Sequence, residues 1–394
     1  MDSSASPGHA ASGLGALLLA VVVISTPSAL HAQTAPAPQV VVALVPPRTP
    51  LPSEAATASV KRFSFIAYGD TRGRHDGFEV QAEHELVIES MLATIKKAVS
   101  TDDPIRFVIQ SGDAIQNGSI AAQLNVSYSP LINRLMREGE VPYFLAVGNH
   151  DVGNAVDLTD ARRLEGLRNY LAANARLIPP DGSPRRLDGY PTYAFGYGNT
   201  YFIGCDSDIP DDSTQLAWMR SQLAHLDRKR WVNVAVFFHH PPFSSGNHGG
   251  ATLERQAASI RSKWMPMFRQ YHVRLLLTGH EHLYEHWVER YTDSSGPRRI
   301  DEIVTGGGGA PLTTYKGEPD VTAYLAANSA DKVSLEHLAR PSSDPGANPF
   351  HYVVVHVDGE RISLEVIGVD WGKGFAPYRT NAAALTDRGG PDNP

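Results

Sequence analysis

Three stretches decide the fold: FSFIAYGD at residues 63–70, IRFVIQSGD at 105–113 and PYFLAVGNHD at 142–151. Each is a short apolar run that ends in a glycine and then a polar side chain: Asp70, Asp113 and Asn149. Between the runs, residues 79–99 and 119–137 have helical spacing; the first carries Leu86, Ile88, Met91, Leu92, Ile95 and Val99. Strand alternating with helix predicts an α/β fold with a largely parallel inner sheet. Such sheets bind ligands beyond the carboxyl ends of their strands. The polar residue after each glycine therefore falls where a site belongs.

The pattern continues downstream. Tyr193–Tyr197 and Tyr201–Cys205 flank Gly198-Asn199 and read as a hairpin. Trp231–Phe238 is an apolar strand that ends in His239-His240-Pro241-Pro242. Val273–Leu277 ends in Thr278-Gly279-His280-Glu281-His282, and Ile300–Val304 in Gly306–Gly309. Helical spacing covers 214–226 and 253–271, and a last hairpin joins 351–357 to 362–367. Residues 152–190, polar with some helical character over Leu158–Ala173, and the irregular polar stretch 311–349 carry large loops that shape a pocket.

Composition narrows the class. The 394 residues carry a net charge of −7, are 42% hydrophobic and 20% charged, and suit a globular enzyme. No Lys/Arg cluster suggests a nucleic-acid face. One cysteine, Cys205, excludes an internal disulfide or a multi-cysteine zinc site and reads as a buried apolar residue. The 12-residue apolar run Gly13–Ile24 is too short to span a bilayer and fits an export signal. The expected organisation is a signal peptide at 1–32, an Ala/Pro-rich linker at 33–60, a catalytic domain at 61–371 and a polar tail at 372–394. After cleavage no segment would cross a membrane, and the protein would be periplasmic or secreted.

Five strand ends together offer Asp70, Asp113, Asn149, His239 and the pair His280/His282. Carboxylate, amide and imidazole donors suit first-row metals such as Fe, Mn, Zn and Co. There are too many for one tetrahedral zinc and enough for two ions, and paired ions serve phosphoryl hydrolysis.

The ordered motifs Gly69-Asp70-Thr71-Arg72, Gly112-Asp113, Gly148-Asn149-His150-Asp151, His239-His240-Pro241 and Gly279-His280-Glu281-His282-Leu283-Tyr284-Glu285 resemble the calcineurin-like metallophosphoesterases, on the purple acid phosphatase side. The resemblance covers roughly residues 63–310. It implies a four-layer α/β/β/α sandwich of two mixed sheets flanked by helices, with a dinuclear metal site at the strand ends. It implies that Asp113 bridges two ions, that Asp70 and His282 hold the first, and that Asn149, His239 and His280 hold the second. His150 would stabilise or protonate the transferring group. His239 is preferred to His240 because Pro241 lies two residues on and His248-Gly249 nine on. His248 is then a proton-donating residue facing the substrate, or else a solvent-exposed loop histidine.

Two departures stand out. The family's Asp-x-His would need a histidine at position 72, and the purple phosphatases' Gly-Asp-x-x-Tyr a tyrosine at 116. The chain has Arg72 and Gln116 instead. His84, His75 or Gln116 could fill the gap, with a surface position favoured for His84. Without a tyrosinate the protein should be colourless. Arg72 could clamp a substrate phosphate or form a structural ion pair. The resemblance implies an exported hydrolase that cleaves small phosphomonoesters with a metal-activated hydroxide. The alternatives are a phosphodiesterase and a non-catalytic metal- or phosphate-binding protein.

Overall fold

Strand β1 (Arg62–Tyr68) is mostly apolar and, beyond exposed Arg62, buried throughout because both of its faces are covered. Ile66 and Tyr68 face helices, with Val87, Met91, Ile132 and Leu135 around them. Phe63, Phe65 and Ala67 face a second sheet and meet Phe202, Ala235 and Phe237. Beyond that sheet, Val234, Val236 and Leu276 pack on Met219, Leu223, Trp264 and Phe268. Three apolar interfaces thus define four layers, helix–sheet–sheet–helix.

The structure is a computed structural model that describes residues 40–155, 157–249 and 253–370, with short backbone pieces between 374 and 387. The expected signal peptide, residues 33–39 and most of the polar tail lie outside the described residues. No helix among the described residues is long and apolar enough to cross a membrane.

In chain order the strands after β1 are β2 (Ile105–Gln110), β3 (Tyr143–Leu145), β4 (Tyr193–Tyr197), β5 (Thr200–Gly204), β6 (Asn233–Phe237), β7 (Leu275–Thr278), β8 (Tyr284–Asp293), β9 (Gly296–Thr305), β10 (Ser334–Ala339), β11 (Phe350–Asp358), β12 (Arg361–Asp370) and β13 (Gly374–Pro377). One sheet has the order β13-β12-β11-β1-β2-β3, and the other β10-β8-β9-β7-β6-β5-β4. Both are mixed. β1, β2 and β3 pair in parallel, as do β5, β6, β7 and β9, while β11, β8 and β4 pair antiparallel. Aromatic rings close the interface between the sheets. Phe144 stacks on Phe195 at 3.9 Å, and Phe65 meets Phe202 edge-on at 5.3 Å.

Helix α1 (Ala82–Ala98) buries Val87, Ile88, Met91 and Ile95, a stripe at helical spacing. Glu83 and Glu85 lie in its first turn and Lys96 and Lys97 in its last, which favours the helix dipole. The helical reading over 119–137 resolves into a wide π-type turn at Gln123–Tyr128 and then α2 (Ser129–Gly139). Pro130 has no N–H for the regular ladder, which accounts for the break.

The polar stretch 311–349 is not structureless: it holds a short helix at Thr322–Ala327 and β10. Within the expected linker, residues 40–60 pack on the domain. Leu44 is fully buried, its N–H donates to the Ala173 carbonyl at 2.8 Å, and Asn125 Oδ1 accepts from the Val42 N–H at 2.9 Å. Part of the expected tail also joins the fold, since β13 pairs with β12. Cys205 is buried, and burial pushes its thiol well above the usual range.

Candidate metal centre

Three of the polar residues after the strand ends sit on strained turns. Asp70, Asp113 and His280 have φ of 59°, 55° and 69°, a left-handed conformation that non-glycine residues rarely adopt. Such strain persists only where the surroundings enforce it, and it clusters at functional sites. The glycines have a different reason. A Cβ on Gly148 would overlap the Asp113 carboxylate, and one on Gly279 the Asp70 carboxylate. One on Gly306 would lie 2.8 Å from Asp70 Oδ2, so the glycine run 306–309 lets the backbone pass beside the site.

Asp151 ties two of these loops together. Its buried carboxylate accepts the backbone N–H groups of Gly148 (2.9 Å), Asp113 (2.9 Å) and Ala114 (3.0 Å).

Four donor atoms converge around His239. Its Nε2 lies 2.9 Å from Asn149 Oδ1, 3.3 Å from Asp113 Oδ1 and 3.2 Å from His280 Nδ1. The other ring nitrogens are already committed. His239 Nδ1 donates to the Ser111 carbonyl at 3.1 Å, and His280 Nε2 donates to Glu254 Oε2 at 3.0 Å. Two imidazoles, an amide and a carboxylate therefore turn these atoms toward one another; a proton on His239 Nε2 satisfies the arrangement in part, and a metal ion would engage all four. Metal–ligand bonds of about 2.0–2.2 Å place neighbouring ligand atoms roughly 3.3–3.6 Å apart in a tetrahedral shell, close to this spacing. The charge demand is visible without an ion. Burial opposes a charged His239, but Asp113 and Asp70 outweigh it and push its pKa up to about 10. Burial likewise opposes an ionised Asp113, but the charges of His239, His150 and Arg72 hold it well below the usual carboxylate range. These residues fit a metal.

The neighbouring position, expected for the first ion, is different. Asp70, Asp113 and His282 offer ligand atoms within 4.8 Å of one another. His282 Nδ1 donates to the Pro311 carbonyl at 2.7 Å, so Nε2 faces inward, 3.5 Å from Asp70 Oδ1. The Arg72 guanidinium stands among these donors, with Nε 3.5 Å from Asp113 Oδ2 and one terminal nitrogen 3.4 Å from His282 Nε2. Its other terminal nitrogen donates to Gln116 Oε1 at 2.7 Å. With the arginine so placed, these donors do not fit a metal ion.

His150 borders both positions. Its Nδ1 donates to the Gln116 carbonyl at 2.7 Å, which leaves Nε2 facing the site, 3.9 Å from Asp113 Oδ2. Burial lowers its pKa below the ordinary histidine value. His248 is exposed, yet its ring lies 4.4 Å from that of His280. Its Nδ1 is 2.5 Å from Glu254 Oε1, and that bond raises its pKa.

The structure thus gathers the residues expected to bind metal or act in catalysis: Asp70, Arg72, Asp113, Asn149, His150, His239, His248, His280 and His282. It adds Glu254, which holds both His280 and His248 and belongs to none of the motifs. The only signal for it was general, since a metal-bound histidine usually hands its second N–H to a carboxylate. His84 is neither a surface residue nor a filler of the gap. It is fully buried, bonded to the Tyr68 hydroxyl at 3.1 Å and to Gln81 Oε1 at 2.8 Å, because α1 packs it against β1. His75 is exposed. Gln116 reaches the site as the partner of Arg72 and of His150. His240 is buried behind the site, bonded to Ser207 Oγ at 2.9 Å.

Fold, motif order and donor geometry together define a class, and sequence comparison agrees. The chain belongs to the calcineurin-like phosphoesterase family, whose profile matches residues 66–284. It is similar to the uncharacterized protein Rv2577 of Mycobacterium tuberculosis, 29% identical over 207 residues, which cover 44% of this chain and 36% of that one. It is also similar to purple acid phosphatase 22 of Arabidopsis thaliana, 25% identical over 169 residues, which cover 43% of this chain and 36% of the plant protein. The match therefore spans about a third of these relatives' length. Among solved structures, purple acid phosphatase PPD1 from yellow lupin seeds shares the fold, with a TM-score of 0.54 at 15% identity, covering 82% of this chain and 54% of that one.

Proposed function

We propose that the protein is a metal-dependent phosphoric ester hydrolase that acts on small phosphomonoesters. One observation carries this reading: the convergence of Asp113 Oδ1, Asn149 Oδ1, His239 Nε2 and His280 Nδ1, with His150 beside them. These four residues would hold an Fe, Mn, Zn or Co ion. Such an ion supplies an acidified water and a positive charge for a phosphoryl oxygen.

The chain's own residues do the rest. The Ser111 carbonyl and Glu254 fix which nitrogen His239 and His280 turn to the centre. Asp151 holds the Asp113 and Asn149 loops in register through three N–H groups. His150, held at Nδ1 by the Gln116 carbonyl, turns Nε2 to the site, where the ring in its imidazolium form would give the Nε2 proton to the leaving alkoxide and return to the neutral form. The Arg72 guanidinium binds a phosphoryl oxygen and offsets the charge that builds in the transition state. His248, backed by Glu254, faces the leaving-group side as a second proton source. The apolar run Gly13–Ile24 supports export, and the exported protein should begin at Gln33.

The test uses metal-stripped protein reloaded in turn with Mn, Zn, Fe or Co, and matched aryl phosphate mono- and diesters. Faster monoester hydrolysis is expected. A preference for the diester would reassign the substrate class. Retained metal with no hydrolysis of either ester would favour the metal-binding alternative.

A further inference from the structure

The two departures from the family's pattern touch each other. Arg72 stands where the resemblance places one first-metal ligand and Gln116 where it places another, and the Arg72 guanidinium donates to Gln116 Oε1 at 2.7 Å. Gln116 is itself anchored, its N–H donating to Asp76 Oδ2 at 2.8 Å. The remaining edges of the guanidinium lie 3.5 Å from Asp113 Oδ2 and 3.4 Å from His282 Nε2. Its side chain is only 19% exposed, so it lies inside the site and not over its mouth. Asp70, the other first-metal residue, shares the His280 backbone N–H between its two oxygens at 3.0–3.1 Å, and its Oδ1 lies 3.5 Å from His282 Nε2.

We propose that Arg72 takes the place of the first metal ion. The chain then holds one transition-metal ion, at Asp113, Asn149, His239 and His280, and the guanidinium supplies the second positive charge. The loss of two usual ligands and the gain of an Arg–Gln pair are a single exchange. It trades a metal's +2 or +3 for a +1 charge that is permanent and cannot be lost to a chelator. A metal ion at that position would sit against the guanidinium, with like charges a few ångströms apart in a buried site. Asp70 becomes a clamp on the His280 turn, holding its strained backbone through the N–H. The inference rests on the hydrolase reading for the ion it retains.

The experiment counts metal in the full chain, independently of turnover. Protein stripped of metal is loaded with excess Mn(II), passed through gel filtration and measured by mass spectrometry for metal per chain. Its electron paramagnetic resonance spectrum is recorded in parallel. One ion and an uncoupled six-line manganese signal are expected. Two ions, or a spin-coupled pair, would overturn the proposal and leave the hydrolase reading standing. No retained ion would overturn both. The double variant Arg72→His/Gln116→Tyr should bind two ions. A folded double variant that still binds one would show that the guanidinium does not fill the position. If that variant does not fold, the wild-type count decides alone.

Discussion

Replacing Glu254 by glutamine removes one charge from behind the candidate metal centre and leaves the shape. The carboxylate accepts from His280 Nε2 at 3.0 Å and lies 2.5 Å from His248 Nδ1. Burial would raise its pKa, but the bonds to His248 and His280 hold it well below the usual carboxylate range. A glutamine keeps one accepting oxygen and turns an NH₂ toward the other imidazole, so one ring nitrogen loses its partner. Changes of this kind behind a ligand histidine weaken metal binding about 10- to 100-fold, or roughly 1.4–2.7 kcal/mol. The assay is competition for Zn(II) against a fluorescent chelator, with a thermal melt to confirm folding. His248→Ala leaves Glu254 on His280 and should keep the wild-type affinity. An affinity within threefold of wild type in both Glu254→Gln and Glu254→Ala would refute the argument that this carboxylate orients His280.

Other outcomes follow from the same geometry. Asp151→Ala strands three buried backbone N–H groups, each worth about 1–3 kcal/mol. Urea denaturation should show a loss of about 3 kcal/mol or more, and a loss under 1 kcal/mol would contradict the role given to Asp151. Burial pushes the pKa of His84 down to about 3, against about 6.5 in an unfolded chain. The unfolded chain takes up this proton first as pH falls, so the group's stabilising effect is full above pH ~6.5 and is lost toward pH ~3. Between pH 6.5 and 5 that is about 1.6 kcal/mol. His84→Gln should flatten the fall in Tm over this range, and an unchanged slope would count against burial of a neutral ring. Gly148→Ala forces a Cβ onto the Asp113 carboxylate, and equilibrium dialysis should show reduced metal binding; undiminished binding would mean that the loop can move.

Much of the fold was legible because strands largely buried on both faces read as mostly apolar runs. β1, β2, β3, β6 and β7 are of this kind, and the glycines after several of them mark where backbone and site crowd together. β8 was hidden by its own chemistry. Its sequence YEHWVERYTD looks solvent-exposed, yet Glu285, His286 and Glu289 are buried. His286 pairs with Asp301 at 2.8 Å and Glu289 with Arg269 at 2.9 Å. Polar residues that neutralise one another across strands and helices erase the alternation by which a strand is recognised. The metal-facing residues were legible because each follows a strand end directly. Glu254 was not, since it reaches His248 and His280 only after the chain folds back. The placement of Arg72 was open for a related reason: its role depends on Gln116, 44 residues away.

The central claim is that Asp113, Asn149, His239 and His280 hold an ion that drives phosphate ester hydrolysis. Its most direct test is paired measurement of bound metal and kcat/KM on an aryl phosphate monoester in Asn149→Ala and His239→Ala. The account predicts that each variant loses its metal and at least about 100-fold in kcat/KM, the order of effect for removing one preorganised electrostatic group. Activity near wild type in either variant, with or without bound metal, would contradict it.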